Sequence, residues 1–223
     1  MTNTSFDMIK RAVEAAGLAC RGAFHPTADD LPAGVSAKTI VMLGFTGNAQ
    51  WPNFAASPES QDGKPHPLDR WSYRVINALA RELGAEARFP FETRPIMPFI
   101  RWAKKAEAVH ESAIGMLIHP DFGLWHAWRG ALGFDEKLDL PPRDERARPC
   151  DTCVEKPCLA ACPVGAFSGG VYDVPKCAAH IRRPEGAPCM SAGCLARRAC
   201  PVGEDYQYTP EQAAFHMKSF RGG

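Results

Sequence analysis

The stretch C-D-T-C-V-E-K-P-C-L-A-A-C-P-V-G, residues 150–165, decides how this chain is read. A second stretch, C-M-S-A-G-C-L-A-R-R-A-C-P-V-G at 189–203, closes on the same step, so that Cys-Leu-Ala…Ala-Cys-Pro-Val-Gly occurs twice, at 158–165 and 194–203. With Cys177 between them, they place eight of the nine cysteines inside one 51-residue window. Three cysteines close together, then a fourth before a proline, is the way bacterial ferredoxins hold [4Fe–4S] clusters, the fourth serving the other cluster of the pair. The repeat points to a pseudo-twofold module, and eight thiolates make two clusters with none left over.

The spacing has a geometric reason. A cubane takes four thiolates at tetrahedral corners; a short loop wraps three around one face, and the helical turn that follows carries the fourth to the neighbour. Proline after that cysteine ends the turn and removes an N–H that would otherwise need a partner. Four residues separate Cys153 from Cys158, and four and five separate Cys189, Cys194 and Cys200. These long gaps read as insertions that bulge outward and leave the sulfurs in place. Two zinc sites could use the same thiolates, but zinc ribbons pair C-x2-C with C-x2-C and have no need of a repeated Cys-Pro. Disulfides belong to oxidising compartments, and nothing in the sequence points to export.

Composition bounds the rest. A chain of 223 residues accommodates one sizeable core and a small cluster domain, and a net charge of +1 does not suggest a nucleic-acid partner. Phe6, Ile9, Val13 and Ala16 recur at helical spacing opposite Lys10, Arg11 and Glu14, which predicts an amphipathic opening helix rather than a leader peptide. No stretch approaches a membrane span, and reduced thiolates suit a cytoplasmic protein. Lys38 to Phe45 reads as a buried strand, 46–67 as a long loop of functional or mobile character, and Asp69 to Leu83 as a helix. Ala87 to Phe91 is a candidate strand, Pro98 to Val109 a helix, Ala113 to His119 a strand and Leu124 to Phe134 the last strand. The expected class is α+β, with an α/β domain over 1–140, a linker over 141–149 and a two-cluster ferredoxin-like module over 150–223.

Three further segments carry a family likeness: Asp173-Val174-Pro175-Lys176-Cys177, Phe91-Glu92-Thr93-Arg94-Pro95, and L-I-H-P-D-F-G-L-W at 117–125. In the order of its parts the chain resembles the epoxyqueuosine reductases and their relatives, in which a corrinoid-binding α/β domain precedes a two-cluster ferredoxin module. The resemblance spans residues 38–205. It implies one [4Fe–4S] cluster on Cys150, Cys153, Cys158 and Cys200 and another on Cys162, Cys177, Cys189 and Cys194. It also implies that Glu92 stands where the family keeps its acidic proton donor, an aspartate there. The family's Gly-Trp-x-Gly-Lys stretch, which approaches the corrinoid, is replaced by Val109-His110-Glu111-Ser112, and no counterpart of the C-terminal helical repeats that would grip a transfer RNA is expected in these residues.

Other residues have two readings each. His119, beside the strands expected to face a cofactor, is a candidate ligand or proton donor, though a lone histidine is usually structural. Glu92 could instead pair with Arg88 or Arg94. Cys20, alone in a small apolar segment, reads as a buried hydrophobe. Trp125 and Trp128 fall on opposite faces of a strand, so at least one packs in a core. Arg182, Arg183, Arg197 and Arg198 would either dock an acidic electron donor or balance the cluster charge. The expected function is an iron–sulfur oxidoreductase, fed by a donor protein such as a flavodoxin or ferredoxin, that reduces a small-molecule substrate or a cofactor on the N-terminal domain. Resemblance favours a corrinoid (cobalamin), with a flavin as the other possibility. A ferredoxin-type electron carrier without catalysis is the alternative.

Overall fold

Residues 5–168 and 170–222 are described by a computed structural model, and the chain divides into two compact units: residues up to Ala108 with Ala127–Glu145, and Val109–His126 with Arg146 onward. The first unit opens with α1 (Phe6–Ala15), capped by Ser5, whose hydroxyl accepts the Met8 N–H at 3.3 Å, and burying Ile9 and Val13. β1 (Ala19–Phe24) and β2 (Thr39–Thr46) pair antiparallel. β2 is buried from Thr39 to Phe45, which is why it reads as an unbroken apolar run rather than an alternating one. Gly44 is required there, because a Cβ would stand 2.0 Å from the Ala127 carbonyl oxygen.

The segment 46–67, expected as a loop, holds two short helices, α2 (Trp51–Ala55) and α3 (Pro58–Gln61), ahead of α4 (Pro67–Leu83). Prolines in their first turns start them, and ion pairs tie α3 to α4. Arg70 donates to Asp62 at 2.7 Å, and Arg74 holds Glu59 through bonds of 2.5 and 2.9 Å. The Arg74 guanidinium pulls the Glu59 carboxyl down to about 2. β3 (Glu86–Arg88) is shorter than its sequence suggests, ending two residues before Pro90, which has no N–H for a ladder. α5 (Phe99–Ala106) follows; then the chain enters the second unit through β4 (His110–Glu111) and β5 (Leu117–Ile118). It returns as β6 (His126–Phe134), and the sheet order is β1-β2-β6-β3, with β3 antiparallel to β6.

Trp71 of α4 meets Phe45 and Phe54 edge-on at 5.6 and 6.0 Å, and the fully buried Trp102 of α5 donates to the Asp30 carbonyl at 2.8 Å. Among these apolar contacts lies one buried charge pair. Arg21 of β1 donates to both carboxylate oxygens of Glu107, at 3.1 and 2.8 Å, and to the Phe45 carbonyl at 2.8 Å, while Trp128 donates to Glu107 at 2.9 Å. Burial pushes the Glu107 carboxyl up, and the Arg21 guanidinium opposes it. This network ties β1, β2, β6 and the end of α5 together, and no periodicity in the sequence announces it.

The second unit is assembled from short pieces: the β4–β5 hairpin, α6 (Pro157–Ala160), α7 (Val174–Ile181), α8 (Ala187–Ala192), α9 (Leu195–Arg198) and α10 (Pro210–Gly222). No such helix buries much apolar surface by itself. The hairpin region supplies it: Ile114, Ile118 and Leu124 form one core with Phe167, Ala196, Cys158 and Cys200. A single division near residues 141–149 therefore differs from the observed one, which assigns 109–126 to the cysteine-rich unit. The fold is α+β, and none of the described helices is long and apolar enough to cross a membrane.

Candidate functional site

Two cavities in the second unit collect the eight cysteines. Cys150, Cys153, Cys158 and Cys200 line one; Cys162, Cys177, Cys189 and Cys194 line the other, which has a volume of about 250 Å³. The chain crosses between them. Cys158 lies on α6 and Cys162 just beyond it, yet they face different cavities; Cys194 caps α9 and Cys200 follows it, with the same separation of fates. Each short helix thus delivers one cysteine to each cavity.

Electrostatics draws the same partition. Burial pushes up the thiols of Cys158 and Cys200, and the remaining cysteines of the first quartet raise them further. Burial likewise raises Cys189 and Cys194, with added repulsion from Cys177 and from Cys162 or Cys189. Four thiolates so placed repel one another unless a positive centre holds them. Backbone N–H groups already point at the sulfurs, as from Ala166 to Cys162 Sγ at 3.3 Å. Burial, together with the neighbouring Cys177 thiol, raises the pKa of the Tyr172 hydroxyl. Four thiols per cavity, with N–H donors around them, match the ligand set of a [4Fe–4S] cluster. Among the described residues no group of His, Cys, Asp or Glu is gathered as a lone metal ion would need. A cubane instead spreads its cysteines around four irons and four sulfides.

One close backbone crossing holds the first quartet. Gly123 (φ +55°) and Gly203 (φ +73°) face each other, and a Cβ on Gly123 would lie 1.8 Å from the Val202 carbonyl oxygen. Glycine in the turn between β5 and Trp125 therefore lets the segment after Cys200 pass. The long ligand gaps behave differently from each other. After Cys153 the chain does bulge outward, with Val154 92% exposed. After Cys194 it does not: the extra residues form α9, which buries Ala196 and turns Arg197 inward. There Arg197 donates to the Leu124 carbonyl at 3.0 and 2.5 Å, its guanidinium 4.4 Å from the rings of both Trp125 and Tyr208. It is half-buried and held in place by these contacts.

The remaining candidates lie elsewhere. Glu92 is half-buried in the turn after β3, where its carboxylate accepts the Phe89 N–H at 3.2 Å. The alternative pairing with Arg88 or Arg94 is not formed: Arg88 pairs with Glu86, two residues away on β3, and Glu92 makes no ion pair among the described residues. An open groove beside that turn is lined by Pro90, Met97, Phe99, Ile100, Arg101 and Lys104, and Glu92 is not part of its wall. His119, 5% exposed, belongs to the second unit; its Nδ1 accepts the N–H groups of Asp121 and Phe122 at 3.1 and 3.4 Å, and its ring stacks on Phe122. That is a turn-closing role, in which Nδ1 serves as an acceptor. Glu92 and His119 thus fall in different units. Cys20, on β1, has its thiol pushed up to about 11 by burial. Residues missed from sequence are Tyr172 and His180, while Trp125 is read there only as core packing; all three line the larger cysteine cavity. The one available signal was their closeness in sequence to cysteines or to the 117–125 segment.

No protein-family model matches the chain, and no curated protein matches it. Solved structures do. A selenomethionine-labelled epoxyqueuosine reductase aligns over 96% of this chain and 64% of its own, at 15% identity and a TM-score of 0.49. An epoxyqueuosine reductase with a tRNA-Tyr epoxyqueuosine-modified tRNA stem loop aligns over 96% and 65%, at 15% identity and a TM-score of 0.45. The epoxyqueuosine reductase from Bacillus subtilis, with its catalytic aspartate loop swung out of the active site, aligns over 93% and 69%, at 13% identity and a TM-score of 0.52. The chain thus spans about two thirds of the length of these proteins, and its fold is similar to that of the Bacillus subtilis structure.

Proposed function

We propose that this protein is an iron–sulfur oxidoreductase in which Cys150, Cys153, Cys158 and Cys200 hold one [4Fe–4S] cluster and Cys162, Cys177, Cys189 and Cys194 a second. The observation that carries the reading is the partition of the eight cysteines between two cavities, four to each. The clusters, when bound, supply one-electron transfer at a potential set by their surroundings. The chain's own part is to hold eight thiolates against their mutual repulsion, to direct backbone N–H groups at the sulfurs, and to wall the larger site with apolar side chains. The donor is a protein of the flavodoxin or ferredoxin class, and the acceptor a small-molecule substrate or a cofactor of the first unit.

A corrinoid is the acceptor that the family likeness favours, with a flavin second. The residues fit a corrinoid poorly: at Val109-His110-Glu111-Ser112 the family's glycines are replaced, Val109 is buried, and the His110 ring bonds the Arg146 carbonyl at 3.0 Å. The electron path is therefore drawn without a corrinoid step. Glu92 remains the candidate proton donor on the strength of the likeness alone, and Glu92→Gln tests it: both clusters and the fold are retained while turnover is lost. His119 is carried only as a candidate, since its Nδ1 already serves the turn.

The test is anaerobic reconstitution. About eight irons and eight acid-labile sulfides per chain, with a broad brown absorbance bleached by dithionite, are expected. Stoichiometric zinc without sulfide refutes the reading. Spectra with and without added cobalamin decide the acceptor: a one-to-one spectral change establishes a corrinoid, and none removes it.

A further inference from the structure

We infer that His180 and Trp125 donate hydrogen bonds to the sulfurs of the cluster held by Cys162, Cys177, Cys189 and Cys194, and so raise the reduction potential of that cluster alone. The inference rests on the two-cluster reading above. Nε1 of Trp125 and Nε2 of His180 are buried atoms with no hydrogen-bond partner among the described residues, and both side chains line the cavity of those four cysteines. Leaving a buried N–H unsatisfied costs about 1–3 kcal/mol, so two such atoms facing one cavity call for an acceptor inside it.

The chemistry of the walls narrows the acceptor. An indole N–H only donates. Trp125 is 1% exposed and clamped by the Arg197 guanidinium at 4.4 Å and the Tyr208 ring at 5.3 Å, so it cannot turn toward water. Arg197 offers only donors, and these are directed at the Leu124 carbonyl. The wall also carries the Tyr172 and Tyr208 hydroxyls and the His216 ring, but neither Trp125 Nε1 nor His180 Nε2 bonds to any of them. The acceptors gathered at the cavity itself are the cysteine thiolates and the sulfides they would enclose. His180 lies in the last turn of α7, three residues after Cys177 and on the same helical face. With acceptors before it, Nε2 carries the proton. The wall of the first quartet's cavity has neither an aromatic nor a histidine side chain.

Reduction adds one electron, from the donor protein or from dithionite in the assay, and breaks no bond. The sulfurs become more negative, the N–H···S bonds strengthen, and the reduced form is favoured. His180 and Trp125 are therefore positioning and tuning residues, not catalytic ones.

The experiment is a redox titration followed by paramagnetic resonance on anaerobically reconstituted full-length protein: wild type, His180→Phe, His180→Gln and Trp125→Phe. Eight irons in the wild type establish the two-cluster reading; without them that reading falls and this inference with it. Given eight irons, His180→Phe is expected to lower the reduced-to-oxidised ratio of one couple three- to tenfold at fixed potential, tenfold being about 59 mV for one electron. The other couple stays in place. His180→Gln, whose amide still donates, restores most of the shift, and Trp125→Phe lowers the same couple. In deuterated buffer an exchangeable-proton coupling disappears from that cluster's spectrum and is absent beforehand in His180→Phe. Equal movement of both couples, movement of neither, or an unchanged proton coupling overturns the inference. If His180→Phe binds fewer irons, Trp125→Phe decides; if both bind fewer, the side chains are structural and the inference fails.

Discussion

Cys158 and Cys162 are one helical turn apart, about 6 Å along an axis, and a local reading would give them the same metal centre. The two cavities separate them, and that separation predicts an unusual set of variant phenotypes. Replacing Cys162 with alanine removes a thiolate from the cavity of Cys177, Cys189 and Cys194, together with the acceptor of the Ala166 N–H. Replacing Cys158 removes one from the cavity of Cys150, Cys153 and Cys200. A cubane with three of four cysteines is lost or degraded, so each variant should fall from about eight irons toward about four. The informative quantity is which four. Paramagnetic spectra of dithionite-reduced protein should show Cys162→Ala and Cys189→Ala retaining one signal, and Cys158→Ala and Cys200→Ala retaining the other. If Cys158→Ala and Cys162→Ala lose the same signal, the crossing is wrong, and the cavities do not correspond to clusters. Loss of both signals in every variant would mean that neither centre forms without the other, and would equally remove the claim of two separate sites.

Three further outcomes follow from the first unit. Glu107→Gln removes the carboxylate charge that faces the Arg21 guanidinium, 1% exposed, and should cost about 3–5 kcal/mol in urea unfolding followed by tryptophan fluorescence, whereas the double change Arg21→Met with Glu107→Leu should cost far less; a single-variant cost under about 1 kcal/mol refutes the pairing. The depressed Glu59 carboxyl contributes stability that is present above its ordinary value of 4.5 and lost as pH falls toward about 2. The gap in urea midpoint between wild type and Glu59→Gln, worth about 1 kcal/mol or less because Arg74 is 54% exposed, should therefore close over that window, and a gap independent of pH contradicts it. The Cys20 thiol, raised to about 11, should stay neutral through pH 8, with a thiolate fraction of about one in a thousand. Alkylation read by mass should then rise about tenfold per pH unit up to that value, and rapid labelling at pH 8 would refute its burial.

What the sequence determined was whatever depends on neighbours along the chain. The unbroken run of Lys38 to Phe45 specifies β2, because a strand covered on both faces has no polar side to alternate with. The Trp71, Val75, Leu79 and Leu83 stripe specifies α4, and Gly84, at φ +66°, ends it. The cysteine spacing points to cluster chemistry, but which four cysteines share a cavity depends on segments as far apart as Cys150 and Cys200. The tertiary structure decided everything that needed a distant partner. β1 carries no strong pattern of its own and exists because β2 offers it a ladder. The 46–67 segment is tied down by arginines of α4 rather than by its own composition. The hairpin 109–126 joins the cysteine unit because that unit's short helices need Ile114, Ile118 and Leu124 to close a core. Arg21 finds Glu107 across 86 positions of chain, and His180 and Trp125 meet the same cavity from segments that share no sequence signal. Local periodicity records which face of an element is apolar; it holds no record of which distant element comes to cover that face, and the partners of buried polar groups are chosen by that covering.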